Sequence, residues 1–420
     1  MSNQTKQKAN DYDYLIVGAG LAGLHCALRL KKGNPKASVA IAEAYNYVGG
    51  RIYTYTPKDY PNIHWESGAG RIHESHTMVK AYLKAYGLTR IPISSTTEYR
   101  SSQDPSFPRS DTWTGLSQYL VSTLSSLTSN VLATHSIREL LVKLQGKAKT
   151  DALLSHFSYR AEMDVMRADL ALESIKREMG PSTDFFVVKE GLGALAKAMK
   201  EEAESLGVEF LMGHRLKSVK SKEARFVVAD ESNQPHRKSL RADHIILALH
   251  NKALRAISPF KTHPLLHKII MCPLLRIYGI FDTPWFSGLP KTVTDGPLRF
   301  VIPISERNGT IMVSYTDASD TQYWSSMSEK KLHTEILKEL RRLFPEREIP
   351  PPLYLKTHLW NAGCSYWAPG KYDPEEASRQ ILNPMPHIYV CGESWSLKQA
   401  WLEGALEHAE LLCKTYLLST

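Results

Sequence analysis

A glycine-rich turn between an apolar strand and a helix lies near the start of the chain. Residues 14–23 read YLIVGAGLAG, in which four apolar residues precede Gly18, Gly20 and Gly23 in the spacing G-x-G-x-x-G. Glycines at this spacing let a buried parallel strand end in a tight turn, and the helix that follows directs its N-terminus at a pyrophosphate. The segment therefore predicts the first strand and helix of a dinucleotide-binding α/β fold.

An acidic residue at the expected distance supports this prediction. A second apolar run, residues 38–42, ends at Glu43, which lies twenty positions beyond Gly23. A carboxylate there accepts hydrogen bonds from ribose hydroxyls, which favours an adenosine without a 2′-phosphate. Because strand, glycines, helix and acid occur in order, we expect a bound dinucleotide.

The residues after Glu43 favour FAD over NAD. Gly49, Gly50 and Arg51 follow in the pattern E-x5-GGRIYT. Paired glycines let a second backbone segment approach the same phosphates, and the planar guanidinium of Arg51 can neutralise their charge. At this point the chain resembles the flavin amine oxidase family, which includes monoamine, polyamine and L-amino-acid oxidases.

The resemblance recurs near the C-terminus and in the middle of the chain. Residues 390–394 read VCGES, residues 401–405 read WLEGA, and residues 241–248 read RADHIILA. The likeness therefore spans almost the whole chain and implies bound FAD. The residues that it assigns to the cofactor are Gly18, Gly20, Leu21, Ala22, Gly23, Glu43, Ala44, Gly50, Arg51, Gly68, Ala69, Gly70, Arg71, Leu216, Gly392, Glu393, Trp401, Leu402 and Ala405.

Length and composition limit the architecture and the partners. A chain of 420 residues exceeds the usual size of one core, so two domains are expected. The net charge of +9 is spread along the chain and forms no long basic run interleaved with aromatic residues, so we expect no nucleic-acid partner. A net positive charge attracts an anionic cofactor and a substrate that carries a carboxylate.

Cysteine usage and hydropathy bear on the compartment. The five cysteines stand alone, without a C-x-x-C pair, which favours a reducing compartment and argues against zinc. The N-terminal residues lack the apolar core of a signal peptide, and no run approaches the roughly 20 apolar residues of a membrane span. We expect a cytoplasmic protein with no membrane partner. The sequence is also compatible with a homodimer.

The family resemblance implies two discontinuous domains, and the pattern of segments fits them. The predicted parts are a flexible leader at 1–12, a Rossmann-like FAD-binding domain at 13–90, 186–255 and 384–420, and a substrate domain of mixed sheet and helices at 91–185 and 256–383. Residues 94–111 are polar with two prolines, which predicts a loop that leaves the first domain.

The resemblance implies oxidation of a C–N bond, with an amine or L-amino acid as substrate, an imine as product and O2 reduced to H2O2. The flavin would carry the difficult chemistry, while the protein positions the amine and excludes water. Candidate residues are therefore walls and anchors rather than an acid–base triad.

Trp401 is the first predicted wall. It falls where family members place an aromatic residue beside the flavin, as one face of a cage for the amine. The helix that begins there would also direct its N-terminal dipole at the flavin. Tyr366 or Trp367 would form the second wall. The alternative is that Trp401 is a core residue that only packs the last helix.

Arg71 bears on the substrate class. The stretch 68–73, GAGRIH, resembles L-amino-acid oxidases, in which the matching arginine pairs with the substrate carboxylate. The family usually has a methionine before this arginine and a proline two places after it, where this chain has Gly70 and His73. In the alternative, Arg71 contacts a cofactor phosphate or a neighbouring acid. His73 and His76 lack a further ligand set, so we expect no metal site.

Arg276 is the main departure from the family. In the stretch PLLRIYGIFDTPW it falls where oxidases of this family carry a lysine that holds a water near flavin N5. An arginine there could replace the water network, assist oxygen or meet an anionic substrate, and in the alternative it faces solvent from a strand. The substitution keeps open a flavoprotein that desaturates or isomerises a non-amine substrate. A non-catalytic interaction module that contains FAD is a further alternative.

Two more residues have a predicted cofactor role that the resemblance defines. Cys364 lies in a context similar to that of the cysteine through which monoamine oxidases attach FAD covalently. In this chain Ala362 and Ser365 replace a glycine and a tyrosine of that context. The alternative for Cys364 is a small buried apolar residue. Glu393 follows the last strand and is expected to bond the ribityl chain of FAD.

Overall fold

The computed structural model describes residues 11–103, 112–178, 184–229 and 234–418. Within these residues the strands are β1 (Tyr12–Val17), β2 (Val39–Ala42), β3 (Thr54–Tyr55), β4 (Trp65–Glu66), β5 (Ile72–His73), β6 (Arg90–Ile93), β7 (Thr97–Arg100), β8 (Phe185–Val188), β9 (Val208–Leu211), β10 (Arg215–Lys220), β11 (Glu223–Ala229), β12 (Pro235–Leu247), β13 (Ile269–Ile280), β14 (Lys291–Thr294), β15 (Phe300–Ser305), β16 (Thr310–Asp317), β17 (Tyr354–Trp367) and β18 (Ile388–Val390).

The α-helices of the same residues are α1 (Leu21–Gly33), α2 (Thr77–Ala85), α3 (Thr112–Leu124), α4 (Ser129–Ala133), α5 (Ile137–Gln145), α6 (Lys147–Ser155), α7 (Arg160–Asp164), α8 (Ala168–Glu178), α9 (Leu192–Ser205), α10 (Asn251–Arg255), α11 (Thr321–Ser325), α12 (Glu329–Leu343), α13 (Pro374–Gln380) and α14 (Leu402–Leu412). A π-helical turn, Cys413–Leu417, continues α14. Short 3-10 turns occur at Phe260–Thr262, Pro264–Lys268, Glu306–Asn308, Ala318–Asp320 and Glu393–Trp395.

A parallel sheet carries the glycine-rich turn. The strands β9, β2, β1, β12 and β18 run parallel in that order, and β10 and β11 extend β12 as an antiparallel ribbon. All four residues of β2 are buried, as are the last three of β1, because helices or other strands cover both faces. α1, α9 and α14 pack on one face around an apolar core that includes Leu24, Leu195 and Leu406. The mixed α/β architecture predicted from the sequence is thus confirmed.

A second sheet has the order β17-β13-β16-β15-β14-β7. The amphipathic α12 packs through Ile336 and Leu340 into the core on one side of this sheet. At one end of the sheet, helices from the stretch 112–178 enclose Cys272 and Tyr366 in their own apolar core. The long strands β13 and β17 pair with each other, and the N–H of Ser365 on β17 donates to Glu393, which follows the carboxyl end of β18 in the first sheet.

Two predicted boundaries differ from the structure. β1 begins at Tyr12, and the Asp11 N–H donates to the Arg241 carbonyl, so regular pairing starts inside the predicted leader of 1–12. Within the predicted loop 94–111, residues 97–100 form β7, which pairs in parallel with β14. The rest of the leader, 1–10, and residues 104–111 lie outside the described part.

A buried histidine connects the last strand to the helices behind it. His408 of α14 is 3% exposed, accepts a hydrogen bond from Gly392 N through Nδ1, and donates through Nε2 to the Ser378 carbonyl. This arrangement needs neutral imidazole, and burial lowers the pKa of His408 to about 4.

We predict that protonation opposes folding in mildly acidic solution. Between the unfolded pKa of His408, 6.5, and its folded pKa of about 4, only the unfolded chain takes up the proton. The free energy of unfolding should therefore fall as pH falls through this window, by up to about 1.4 kcal/mol per pH unit from this residue. Urea denaturation from pH 8 to pH 4 measures it.

The variant His408→Gln keeps one donor and one acceptor but removes the titration. It should be less stable at pH 8 and lose stability less steeply between pH 6.5 and pH 4. The exposed His236→Asn variant should follow the native profile. An unchanged slope in His408→Gln would contradict the assignment.

Candidate active site

The three glycines of the first turn have different surroundings. Gly18 has a φ of 106°, and a Cβ placed there would lie 2.6 Å from the Ala248 carbonyl oxygen. A Cβ on Gly23 would lie 2.0 Å from the Gly18 carbonyl oxygen, so helix and strand could not pack. Gly20 has open space, since its nearest neighbour would be the Gly49 oxygen at 3.9 Å. The turn thus leaves room for a ligand only at Gly20.

A second glycine loop lies against the first. Gly49 donates its N–H to the Ala19 carbonyl at 2.8 Å, and a Cβ on Gly50, whose φ is 60°, would lie 3.6 Å from Gly20 Cα. α1 begins beside this contact, with no side-chain cap and no acidic residue in its first turn. That turn includes Leu21 and Ala22, which are predicted to contact the cofactor. Its first N–H groups and positive dipole end are therefore directed at the space that a pyrophosphate would fill.

Glu43 lies at the end of β2, as predicted. Its carboxylate accepts hydrogen bonds from the N–H groups of Ala19 at 2.8 Å and Tyr45 at 3.0 Å, and the residue is buried. These bonds fix the carboxylate and leave lone pairs for ribose hydroxyls. Ala44 follows it directly. Leu216 lies on β10, two residues after His214, whose N–H donates to the Glu43 carbonyl at 2.7 Å.

Arg51 and Glu393 form an ion pair with each other. Arg51 Nη2 lies 2.7 Å from Glu393 Oε2, and Arg51 Nη1 donates to the Gly363 carbonyl at 3.0 Å. Glu393 also accepts from the Ser365 and Ala400 N–H groups. The carboxylate of Glu393 thus balances the charge of Arg51. The contact of Arg51 with the cofactor phosphates and that of Glu393 with the ribityl chain stay predictions.

The stretch 68–70 runs in contact with the second glycine loop. A Cβ on Gly68 would lie 2.0 Å from the Arg51 carbonyl oxygen, and Ala69 N donates to the same carbonyl at 3.0 Å. A Cβ on Gly70 would lie 3.0 Å from Arg276 Nη1. These close approaches bring Arg71 and Arg276, which are far apart in sequence, to the same region.

Arg71 lies among three aromatic rings. Its guanidinium carbon is 4.5 Å from the ring centre of Phe185, 5.6 Å from Trp401 and 5.8 Å from Tyr159, and Nη2 donates to the Tyr159 hydroxyl at 3.0 Å. Within the described residues it forms no ion pair. We call Arg71, Phe185, Trp401 and Tyr159 the arginine box.

Trp401 is held in the box by the start of α14. Its ring stacks on Phe185 with centroids 5.9 Å apart and meets His76 edge-on. Two residues later, the fully buried Glu403 accepts hydrogen bonds from Met78 N and Val79 N at the start of α2. Trp401 therefore lines the region around Arg71, and its contact with a flavin stays a prediction. Leu402 and Ala405, also assigned to the cofactor, pack in the apolar core of α14.

Arg276 is buried on β13, so the solvent-facing alternative is wrong. Its Nη1 donates to the Glu66 carbonyl at 3.1 Å, and its guanidinium carbon lies 4.9 Å from the ring centre of Tyr315. Nε has no hydrogen-bond partner, and no described carboxylate forms an ion pair with Arg276. Burial raises the pKa of the nearby Glu66 carboxyl group. A desolvated cation with spare donor capacity is suited to an anionic ligand.

Tyr366 and Trp367 point to opposite faces of β17, as adjacent strand residues do. Trp367 packs in the core of the parallel sheet, and its indole N–H donates to the Ser396 carbonyl. Tyr366 lies on the helical side and donates to Glu162 Oε1 at 3.3 Å. Trp367 is therefore occupied as a core residue, and the role of second wall stays a prediction for Tyr366.

Several residues of this region belong to no recognisable sequence motif. Tyr159, Phe185 and Tyr315 come from separate segments, and only the folded chain brings them to Arg71 and Arg276. Glu162 is buried, and burial together with the charge of Asp317 raises its pKa, which favours a neutral carboxyl group. Among the described residues, no cluster has the composition of a metal site.

The two-sheet architecture belongs to a known class of FAD-binding amine oxidase folds. The structure of wild-type putrescine oxidase bound to putrescine superposes with a TM-score of 0.73, at 19% identity, over 95% of this chain and 97% of that one. The model of the family "Flavin containing amine oxidoreductase" matches residues 21–414. The chain belongs to this family, and its cofactor is FAD.

Curated relatives cover nearly the full chain at low identity. L-amino acid oxidase Bs29 of Bothriechis schlegelii is 22% identical over 96% of this chain and 90% of its own length. The putative L-amino-acid oxidase YobN of Bacillus subtilis (strain 168) is 23% identical over 94% of this chain and 92% of its own. In the described parts of the chain, no helix is both long and apolar enough to cross a bilayer.

The glycine geometry predicts a contrast between two single-methyl variants. Gly20→Ala should leave the thermal stability of the apoprotein nearly unchanged, because its Cβ enters open space, but should weaken FAD binding by excluding the phosphate. Gly23→Ala should destabilise the apoprotein itself by roughly 1–3 kcal/mol, since helix and strand must separate. Calorimetry of both apoproteins and FAD titration test the contrast, and equal destabilisation would contradict it.

We expect FAD to be released when the protein is denatured in acid. Burial raises the pKa of Cys364 to about 12, so its sulfur is a protonated thiol rather than the reactive thiolate. After acid precipitation the flavin absorbance should be in the supernatant, in native protein as in Cys364→Ser. A yellow pellet from native protein alone would show covalent attachment instead.

Proposed function

We propose that the protein oxidises the α C–N bond of an L-amino acid to an imine, with O2 as the electron acceptor and H2O2 as the second product. Two kinds of support converge on an amino acid. The curated relatives named above are L-amino-acid oxidases by name. The observation that carries the proposal is Arg71, whose guanidinium lies among aromatic rings without a carboxylate partner in the described residues.

The arginine box suits a carboxylate for physical reasons. Aromatic rings stabilise the guanidinium through their π faces but satisfy few of its five donors. A carboxylate can accept two parallel N–H bonds from it, in a geometry that a lysine cannot reproduce. Because the rings cover part of the half-buried guanidinium, such a bond is stronger than it would be in bulk solvent. An amino acid would then be distinguished from the corresponding amine.

The remaining roles follow from this anchor. FAD, when bound, supplies the two-electron chemistry at the C–N bond. Gly20, the first turn of α1 and Glu43 would hold its pyrophosphate and ribose. Trp401 and Phe185 would enclose the substrate beside Arg71 and exclude water. Arg276 would stabilise negative charge on the bound ligand.

A second candidate is the oxidation of a non-amine substrate by a desaturase-type reaction. The observation that favours it is Arg276, which stands where the related oxidases carry a lysine. Slow reaction of the reduced protein with O2 would support this candidate.

The proposed function is tested by anaerobic reduction of the bound flavin. L-amino acids are paired with their decarboxylated amines, and loss of the oxidised flavin absorbance is followed by stopped flow. We expect reduction by amino acids and little by the amines. If neither class reduces a flavin that dithionite does reduce, the proposal is wrong.

The variant Arg71→Lys tests the anchor. It keeps the positive charge but loses the bidentate geometry, so reduction by amino acids should slow by roughly 30- to 100-fold in kcat/KM. Turnover of any amine that does react should change less than about threefold, because an amine makes no such bond. The exposed Arg255→Lys variant is the control, and equal losses for both substrate classes in Arg71→Lys would overturn the anchor.

A further inference from the structure

A lysine that belongs to no recognised sequence motif lies on the same sheet face as Arg276. Lys291 begins β14, and pairing of Val293 with Phe300 places Lys291 opposite Ile302. Residues directly opposite each other in antiparallel strands point to the same face. Ile302 pairs with Met312, and Met312 with Tyr278, two residues along β13 from Arg276. The described strands therefore carry Lys291 and Arg276 at opposite ends of one face.

The arginine box lies between these two cations. The Tyr159 ring, which bonds Arg71, packs against Phe300 of β15 at 5.0 Å and Tyr315 of β16 at 5.9 Å between ring centres. β14 adjoins β15, and Tyr315 lies under the guanidinium of Arg276. Since β14 and β13 are three strand spacings apart, the outer cations are separated by roughly 14 Å across the sheet, with a further offset of about 7 Å along the strands.

Lys291, like the two arginines, has no ion-pair partner among the described residues. Burial, together with the charge of Arg71, lowers the pKa of Lys291 to about 8. At neutral pH the ammonium form still predominates, so Lys291 and Arg71 both carry positive charge. Two neighbouring cations without an anion between them repel each other, and a bound anion would relieve this repulsion.

The carboxyl groups near the arginine box do not neutralise Arg71 and Lys291. Glu162 lies next to Tyr366, and its burial and the charge of Asp317 favour the neutral form. Asp317 accepts hydrogen bonds from the Arg160 and Ala161 N–H groups at the start of α7, which satisfy its oxygens. The positive charge of Arg71 and Lys291 thus remains available to a ligand.

We propose that the site selects amino acids that carry a second carboxylate, with Arg71 binding the α-carboxylate and Lys291 the carboxylate of the side chain. This inference rests on the proposed function and specifies its substrate class. An acidic amino acid would place one anion on Arg71 and the other on Lys291. A neutral amino acid would leave the half-buried Lys291 without an anionic partner among the described residues.

The test compares acids with their isosteric amides. Anaerobic flavin reduction is measured for L-glutamate against L-glutamine and for L-aspartate against L-asparagine, at pH 7. We expect at least one acid to exceed its amide by more than tenfold in kcat/KM. In Lys291→Met that acid should lose roughly 10- to 100-fold while the amides change less than threefold.

Further variants separate specificity from folding. Lys291→Arg should keep the preference for the acid, because a cation is retained, and Lys291→Gln should behave as Lys291→Met does. The exposed Lys330→Met on α12 is the matched control. The flavin spectrum and the unfolding temperature of each holoprotein report whether the variant folds.

The results distinguish a failure of the preference for acidic substrates from a failure of the proposed function. Absence of any preference for acids in the native protein overturns it, and so do equal losses for acid and amide in Lys291→Met. If neutral amino acids reduce the flavin without these effects, the inference fails while the proposed function stands. If no amino acid reduces the flavin, the proposed function fails as well.

Discussion

The backbone contact between the two glycine loops is the constraint on which the rest of the site depends. The Gly49 N–H bonds the Ala19 carbonyl, and the stretch 68–70 then lies on the Arg51 carbonyl, where a Cβ at Gly68 would be 2.0 Å from the oxygen. Side chains at these positions would force the segments apart. The contacts leave the start of α1 free for a phosphate, and they carry Arg71 into its aromatic surroundings.

Uncompensated positive charge is the second feature of the site. Burying a cation without an anion is unfavourable, and proteins usually pair such groups. Here the half-buried Arg71 lies over aromatic rings, and the buried Arg276 lies over Tyr315 and beside the Glu66 carbonyl. These contacts lessen the desolvation penalty without removing the charge. Arg51, by contrast, is paired with Glu393. The protein therefore neutralises one arginine internally and keeps the others available to an anionic ligand.

Local sequence accounts for the glycine turn, β1, α1 and Glu43, because each depends on neighbouring residues and on the periodicity of apolar positions. Resemblance to a family, rather than spacing, supplied Arg71 and Trp401, which the fold does bring together. Phe185, Tyr159 and Lys291 could not be predicted, since no local pattern marks a residue whose surroundings come from distant segments. Residues 97–100 are a strand because β14 pairs with them, although their polar sequence favours a loop.

Binding of a carboxylate in the absence of turnover would show directly whether Arg71 is available to an anionic ligand. The oxidised holoprotein is titrated with benzoate and with benzamide, which differ mainly in charge, and perturbation of the flavin spectrum gives the Kd of each. We expect benzoate to bind more than tenfold tighter, because it can pair with Arg71, a half-buried arginine that has no carboxylate partner among the described residues. Equal affinities, or tighter binding of benzamide, would contradict it.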